Sequence, residues 1–486
     1  MLELVVFLCG AVVMVMEMVG SRVLAPYLGS SIIVWTSLIG IILGSLSAGY
    51  WWGGIKADRN ASRRGLSLII LLAAFFIAGV AVVKSFILNF LQDYVLNIHL
   101  SSALATIVLF APPSLLLGMV SPYSVKLKLD TLENSANTVG RLYAISTIGS
   151  IFGTFLGGFY LIAFLGSTKI LFVLSMVLVM ASFFAYSGGK VVKGASLCFF
   201  LLLAVATGSY EHYLAARGYH DIDSSYNRIV VWEAKSLEAG TIRVMTTHPR
   251  AMQSAMRVDA PDELFLPYTK FFEMSFHFKP AASRFLILGG GGYSFPKYLL
   301  ANYPDVTVDV VEIDPKVTEL ARTFFDLEQN PRLRIIHEDA RSALSKLGGK
   351  YDVILVDVFN SHYSIPFHLT TVETAGLLSD RLEDDGVVIL NLLASIEGPE
   401  GRFLRAEVAT YKSVFGHVSL YPVSDPRDGA IWQNVMLVAL KSPAVSDMSG
   451  AASPFAHLLG NLWRVPVQQD VPILTDDFAP VESMVR

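Results

Sequence analysis

Charge is scarce in this chain. Of its 486 residues only 16% are Asp, Glu, Lys or Arg, while 53% are hydrophobic; a soluble domain carries about a quarter charged residues. That shortage excludes an ordinary soluble protein over the whole length and points to a membrane part joined to a soluble part. The charge that is present nearly balances, at a net −4, which leaves no electrostatic footprint for nucleic acid. Cysteine is scarcer still: Cys9 and Cys198 both sit inside apolar runs. They build neither a disulfide framework nor a zinc site and read as buried hydrophobes. The first apolar run has no basic leader or small-residue cleavage site, and Glu17 and Arg22 interrupt its end. It reads as a retained helix rather than a signal peptide.

What is present falls into two textures. Charges are sparse to about residue 208 and ordinary afterwards, which predicts a transmembrane helical domain over 1–208. A linker and small β-rich part follow over 209–280, then a nucleoside-binding domain over 281–486. Six stretches, 4–24, 31–54, 66–83, 101–120, 140–165 and 168–186, approach or exceed the roughly 20 residues that cross a bilayer. A seventh, 195–207, is short. Basic residues follow the second stretch (Lys56, Arg59, Arg63, Arg64), the fourth (Lys126, Lys128) and the sixth (Lys190, Lys193). The alternate loops offer little beyond Arg22, Lys84 and Lys169. By the positive-inside rule the N-terminus and the even-numbered loops are cytoplasmic. If 195–207 crosses, the soluble part lies outside the cytoplasm; if it is re-entrant or interfacial, the soluble part stays inside. An apolar run of 13 residues favours the second outcome, because runs of 10–14 are more often not full spans. The expectation is an integral protein of the cell inner membrane, contacting the lipid bilayer, with its catalytic domain on the cytoplasmic face. Gly149, Gly153 and Gly157, spaced by four, predict close helix packing. Glu17 and Arg22 read as an interfacial ion pair.

After residue 220 the runs "NRIVVWEA" and "GTIRVMTT" alternate and read as a hairpin. Residues 262–278 carry apolar side chains at helical spacing. Five strand-like runs then alternate with helical ones, which predicts a parallel, doubly wound α/β sheet. Ligands of such sheets sit past the carboxyl ends of the strands. The first strand, in "FLILGGGGYSFPKYL", ends in Gly289, Gly290, Gly291 and Gly292, where the missing Cβ atoms let a ligand press against the backbone. The second ends at Glu312, 23 positions after Gly289, where an acid would hold a ribose diol. The third ends in Glu338, Asp339 and Ala340, beside an adenine edge, and the fourth at Asp357. Together they predict a nucleoside site. The loop lacks GxGxxG and has no phosphate-binding lysine, which argues against NAD and ATP and favours an adenosyl sulfonium.

These residues resemble those of the polyamine aminopropyltransferases, the spermidine synthase family. "DSSYNRI" and Gln253 match its N-terminal hairpin region, and "FFEMSFH" its YxEMxxH helix, with Phe271 in place of the tyrosine. "LILGGGGYS" is similar to its IGGGDGG loop, "VEID" to its ribose segment, "HEDAR" to its GDA segment, and "DVFNS" to its DSSDP stretch. With the hydrophobic N-terminal half, the chain resembles integral-membrane spermidine-synthase-like proteins. The resemblance implies a Rossmann-like domain of the SAM-methyltransferase type with a small N-terminal β-hairpin subdomain. It implies a transferase of polyamine biosynthesis that releases methylthioadenosine, with S-adenosylmethionine or its decarboxylated form as co-substrate, small-molecule substrates and no metal. Asp357 would be catalytic. Gln253, Gly289, Gly290, Gly291, Glu312, Asp339 and Ala340 would bind the nucleoside, and His277, Gly292, Tyr293, Asn360 and Tyr363 would line the substrate. His362 and His368 read as further polar lining. Soluble members are commonly dimers or tetramers, so a homo-oligomer is implied unless the bilayer anchor prevents it.

Two acids of the family pattern are absent: Gly292 and Asn360 stand in their places. A dication desolvated without carboxylate partners is costly, so putrescine binding should be weakened, and the donor need not be decarboxylated. Asp476 and Asp477 in the tail are candidates to replace the missing acids. Besides aminopropyl transfer, two readings stay open. One is a SAM-consuming enzyme without a diamine acceptor, forming a lactone or moving a methyl group. The other is a metabolite sensor gating a transport bundle. Retention of Asp357 favours an enzyme.

Overall fold

The computed structural model describes residues 1–95, 97–129, 135–236, 240–247, 252–359, 365–442 and 453–485. Its contacts divide the chain into two units, Met1–Arg228 and Ile229–Arg486.

In the first unit, seven helical stretches among the described residues are long and apolar enough to cross a membrane. They are α1 (Leu2–Leu28), α2 (Ile32–Asn60), α3 (Arg63–Tyr94), α4 (Ile98–Gly118) continued by α5 (Val120–Lys128), α6 (Ser135–Leu156), α8 (Ser167–Ala185) and α9 (Lys190–Ala215). A π-helical turn at Gly157–Leu161 and the short α7 (Ile162–Phe164) prolong α6. The short apolar run 195–207 is only the middle of α9. That helix has 26 residues and at 1.5 Å per residue is about 39 Å long, more than a hydrocarbon core of about 30 Å requires. Lys190 and Lys193 at one end and Tyr210, Glu211 and His212 at the other lengthen the helix without lengthening the apolar run.

The glycines of α6 explain its place beside α1. A Cβ at Gly149 would overlap the Phe7 carbonyl, and one at Gly153 would stand 2.7 Å from the Ala11 Cα. Only hydrogen at these positions lets the backbones come so close, which is how helices associate in lipid. Ser150 Oγ adds a hydrogen bond to the Gly10 carbonyl at 3.2 Å. Arg22, near the end of α1, donates to the carbonyls of Ser224, at 3.1 Å, and Ser225. These follow the strand β1 (Tyr219–Asp223).

In the second unit, β2 (Arg228–Ser236) pairs antiparallel with β3 (Gly240–Thr246), which pairs antiparallel with β4 (Ser254–Arg257). The single helix expected over 262–278 is broken. Pro267 opens α10 (Pro267–Phe271), a 3-10 turn covers Phe272–Met274, and α11 (Ser275–Phe278) follows. The tighter turn changes the phase of the side chains that follow it.

The main sheet is built from β5 (Arg284–Leu288), β6 (Thr307–Val311), β7 (Leu333–Ile336), β8 (Tyr351–Val356), β9 (Leu382–Ala394), β10 (His417–Pro422) and β11 (Gln433–Leu440). Their order is β10-β11-β9-β8-β5-β6-β7. The connecting helices are α12 (Ser294–Asn302), α13 (Pro315–Phe324), α14 (Ala340–Lys346), α15 (Val372–Arg381) and α16 (Arg402–Lys412). Strands β5 to β9 pair in parallel, as expected, but β11 runs antiparallel to β9 and β10 antiparallel to β11. The sheet is therefore mixed. The strands β10 and β11 lie outside the five strand-like runs read from the sequence, and an apolar run reports burial and not strand direction.

The chain winds from β5 outward through β6 and β7, then returns to start again at β8 beside β5. At such a reversal the crossovers diverge and leave a crevice past the strand ends. One face of the sheet is packed by Ala343 and Leu344 of α14, Leu378 of α15 and Phe403, Leu404 and Tyr411 of α16. They cover Leu286, Leu288, Ile354, Val356, Val388 and Leu390, all buried. Each such side chain contributes about 1.5–3 kcal/mol on burial, and together they fix where the strands end.

Candidate active site

The strand ends lie side by side. Gly289 N donates to the Val311 carbonyl at 2.8 Å, Asp357 N to the Leu288 carbonyl at 2.8 Å, and Glu312 N to the Ile336 carbonyl at 3.0 Å. The residues just beyond β5, β6 and β8 are thus held in register by continuations of the ladder.

The glycine loop occupies backbone that side chains resist. Gly289 has φ +96° and Gly291 φ +49°, the left-handed region that favours glycine. A Cβ at Gly289 would overlap the carbonyl oxygen of Asp357. Glu312, 7% exposed, stitches the loop together. Its Oε2 accepts from Gly290 N at 2.8 Å and Gly291 N at 3.4 Å, and its Oε1 from Asp314 N at 2.9 Å. Burial raises the Glu312 pKa, against the lowering pull of these three amides. A carboxylate has about four lone-pair sites, so acceptor capacity remains for ligand hydroxyls.

Asp339 caps α14, accepting from Ser342 N at 3.0 Å, and its other oxygen meets His368 Nε2 at 3.1 Å. Burial works to raise its pKa, but the Ser342 amide and His368 outweigh it and hold it below the ordinary value. Ala340 is buried in the first turn of α14.

At Asp357 two neutral donors grip the carboxylate. Asn391 Nδ2 of β9 donates to Oδ1 at 2.9 Å and the Tyr268 hydroxyl of α10 to Oδ2 at 3.1 Å. Asn434 of β11 in turn donates to Asn391 Oδ1 at 2.9 Å, fixing which way that amide faces. Desolvation raises the Asp357 pKa, opposed by Asn391 and Tyr268. Burial and the adjacent carboxylate raise the Tyr268 pKa well above its ordinary value, so the phenol stays a donor. Sequence reasoning missed Tyr268 and Asn391. Phe271, which stood for the family's tyrosine, is buried, and the phenol comes from three residues earlier. An Asn inside the apolar run "GVVILNLL" was a readable signal, since a polar group in such a strand needs a partner.

The other expected positions are placed as follows. Gln253 lies just before β4; its backbone carbonyl accepts from Tyr268 at 3.4 Å, and its Oε1 is buried without a hydrogen-bond partner among the described residues. Gly292 N donates to Ser254 Oγ at 2.8 Å. A Cβ there would stand 2.9 Å from Ser254 Cβ and 3.1 Å from the Phe325 ring, so the loop is packed where a longer side chain would have to go. Tyr293 is completely buried and turns its hydroxyl to Thr318 Oγ1 at 2.6 Å, which makes it a wall of the interior and not an open surface. His277 Nδ1 meets Ser453 Oγ at 3.1 Å. Asn360, His362 and Tyr363 lie outside the described residues. The tail does return, with the Leu474 carbonyl accepting from Val372 N at 2.9 Å. Asp476, though, is engaged by Arg341, at 2.5 Å from Nη1, and by Thr371 Oγ1 at 2.8 Å. It is an ion-pair partner there, and Asp477 is exposed. Among the described residues no three His, Cys, Asp or Glu side chains gather as metal ligands would.

A glycine loop, a buried amide carbonyl without a partner among the described residues, the buried Glu312 carboxylate and the desolvated Asp357 are thus the groups of the candidate site. The chain is similar to known proteins over its C-terminal part. A family model described as the spermine/spermidine synthase domain matches residues 270–428. A polyamine aminopropyltransferase of Vibrio vulnificus is 29% identical over 278 residues, covering 54% of this chain and 90% of its own. Polyamine aminopropyltransferase 2 of Ralstonia nicotianae is 24% identical over 433 residues, covering 82% of this chain and 80% of its own. Among solved structures, a probable spermidine synthase from Corynebacterium glutamicum is similar with a TM-score of 0.41 at 23% identity, over 46% of this chain and 81% of that one.

Proposed function

Because the C-terminal part of this chain carries a spermidine synthase domain, we propose that it is a membrane-bound transferase acting on an adenosyl sulfonium, S-adenosylmethionine or its decarboxylated form. The observation that carries this reading is Asp357 held between Tyr268 and Asn391 at 3.1 and 2.9 Å, beside the glycine loop. An amine nitrogen attacks the methylene next to the sulfonium. The C–N bond forms as the C–S bond breaks, sulfur keeps the bonding pair, and neutral methylthioadenosine leaves. Asp357 takes the proton that the nitrogen sheds. The sulfonium is already a good leaving group, so the protein chiefly aligns the reactants, an effect worth up to roughly 7–11 kcal/mol. Proton removal adds a factor of about 10²–10⁴.

The cradle supports the donor. Gln253 Oε1 offers an unfilled buried acceptor, Glu312 stands at ribose height, and Asp339 and Ala340 stand at the adenine edge. Gly292 bears on the tail of that donor. With Ser254 and Phe325 against it, the loop has neither a carboxylate nor space for one. This favours a donor that keeps its own carboxylate, and an acceptor other than a diamine. The seven long apolar helices support anchorage in a bilayer. The test is to incubate detergent-purified protein with each donor, with and without putrescine, and to identify products by mass spectrometry. Methylthioadenosine is expected. Adenosylhomocysteine instead would mean methyl transfer, and binding without either product would make the domain a sensor.

A further inference from the structure

Taking the first unit as membrane-spanning, as proposed above, we infer that its basic end faces the cytoplasm. The chain from Ile229 onward then lies on the opposite side of the membrane.

Contacts sort the helix termini into two ends. At the first, Glu3 of α1 pairs with Lys128 of α5 and Arg141 of α6, and Asp58 of α2 pairs with Lys126 at 2.9 Å. Lys193, in the first turn of α9, donates to the Ser182 carbonyl near the end of α8 at 2.9 Å. Ser67, near the start of α3, meets Ser182 Oγ at 3.0 Å. At the second end, Gln92 of α3 donates to the Tyr27 carbonyl of α1 at 2.7 Å. Ser167 N, opening α8, donates to Asp223 Oδ2 at 2.9 Å, and Arg228 to the Tyr27 hydroxyl at 3.0 Å. Asp223 and Arg228 come after α9, so α9 finishes at the second end. Seven traverses, an odd number, therefore put Met1 and Arg228 at opposite ends of the first unit.

The two ends differ in charge. The first has Lys56, Arg59, Arg63 and Arg64 around the turn from α2 to α3. Lys126 and Lys128 on α5, and Lys190 and Lys193 opening α9, add to it. The second has fewer: Arg22, Lys84, Lys169, Arg217 and Arg228. Lys and Arg in short loops are retained on the cytoplasmic side, which orients the first end inward. The sequence expectation of a cytoplasmic catalytic domain rested on a seventh segment too short to cross and on the ligand read at the strand ends. The 26 residues of α9 remove the first of these grounds.

Single cysteines in the full-length chain test this, in a Cys9→Ala, Cys198→Ser background. Ser30→Cys reports the second end, Asn60→Cys the first, and Val465→Cys the second unit; all three positions are exposed. Intact cells, with any outer membrane permeabilised, are treated with a membrane-impermeant maleimide. Positions 30 and 465 should label before lysis of the inner membrane and position 60 only after it. Labelling of 465 only after lysis overturns the proposal, whether 60 stays inside with it or appears outside. Release of the chain by alkaline carbonate would instead overturn the membrane reading beneath it. As a second check, Lys56, Arg59, Arg63 and Arg64 changed together to Gln should give mixed labelling at 465. Unchanged labelling in that variant would remove these charges as the cause.

Discussion

Replacing Tyr268 by Phe removes one hydroxyl from the site and leaves its ring in place against Phe272, 6.0 Å away edge to face. Asp357 then keeps Asn391 at 2.9 Å and loses the donor at 3.1 Å. Its pKa is already raised because the surrounding protein strips the carboxylate of water, and these two donors oppose that rise. With one gone, the protonated form gains, so the acid limb of the pH–rate profile moves to higher pH. A hydrogen bond to a charged group contributes about 1.5–3 kcal/mol. At about 1.36 kcal/mol per factor of ten, this is roughly a 10- to 150-fold fall in kcat/KM on the acid side of the limb. The loss should shrink as pH rises and Asp357 ionises in the variant too. The assay is methylthioadenosine release across pH, with the thermal midpoint as a check on folding. A profile superimposable on that of the parent would refute the role given to Tyr268. A uniform loss at every pH would refute the proton-transfer account of it.

Four further outcomes are expected. Asp357→Asn should lower turnover by about 10²–10⁴ while calorimetry still detects methylthioadenosine binding; retained turnover would take Asp357 out of the chemistry. Gly289→Ala forces a Cβ against the Asp357 carbonyl at φ +96°, a left-handed conformation that alone costs about 1–2 kcal/mol, and should abolish nucleoside binding. Gly348→Ala, with open space around it, should leave binding intact. Glu407 is buried, both its oxygens lack partners among the described residues, and burial raises its pKa well above the ordinary value. The folded state therefore holds a proton that the unfolded state releases near pH 4.3, and stability falls as pH rises from there toward the folded pKa. Glu407→Gln should accordingly raise the thermal midpoint more at pH 8 than at pH 5; an equal change at both would contradict the sign.

Much of the candidate site was legible because strand ends are marked by residue types. Four glycines, Glu312, Asp339 and Asp357 each follow a run of apolar residues, and the fold brings those strand ends side by side. What was hidden depended on phase, direction or partner. On α10, which Pro267 opens, Tyr268 is the residue that reaches Asp357, although "FFEMSFH" directed attention to Phe271. The antiparallel course of β10 and β11 leaves no mark in their apolar runs, yet it brings Asn434 beside Asn391. Asp476 was noticed for its charge, but Arg341 and Thr371 claim it. The extent of α9 was hidden because a helix continues through the charged and aromatic residues that end an apolar run.

The hydrogen atom at Gly289 has a mechanical meaning. With no gap between that loop and the Asp357 backbone, and with Asp357 N bound to the strand just before the loop, the two pieces have no hinge between them. Under the proposed nucleoside reading, reshaping the loop would therefore re-aim the acid as well, and binding and proton transfer would have to be redesigned as a single part.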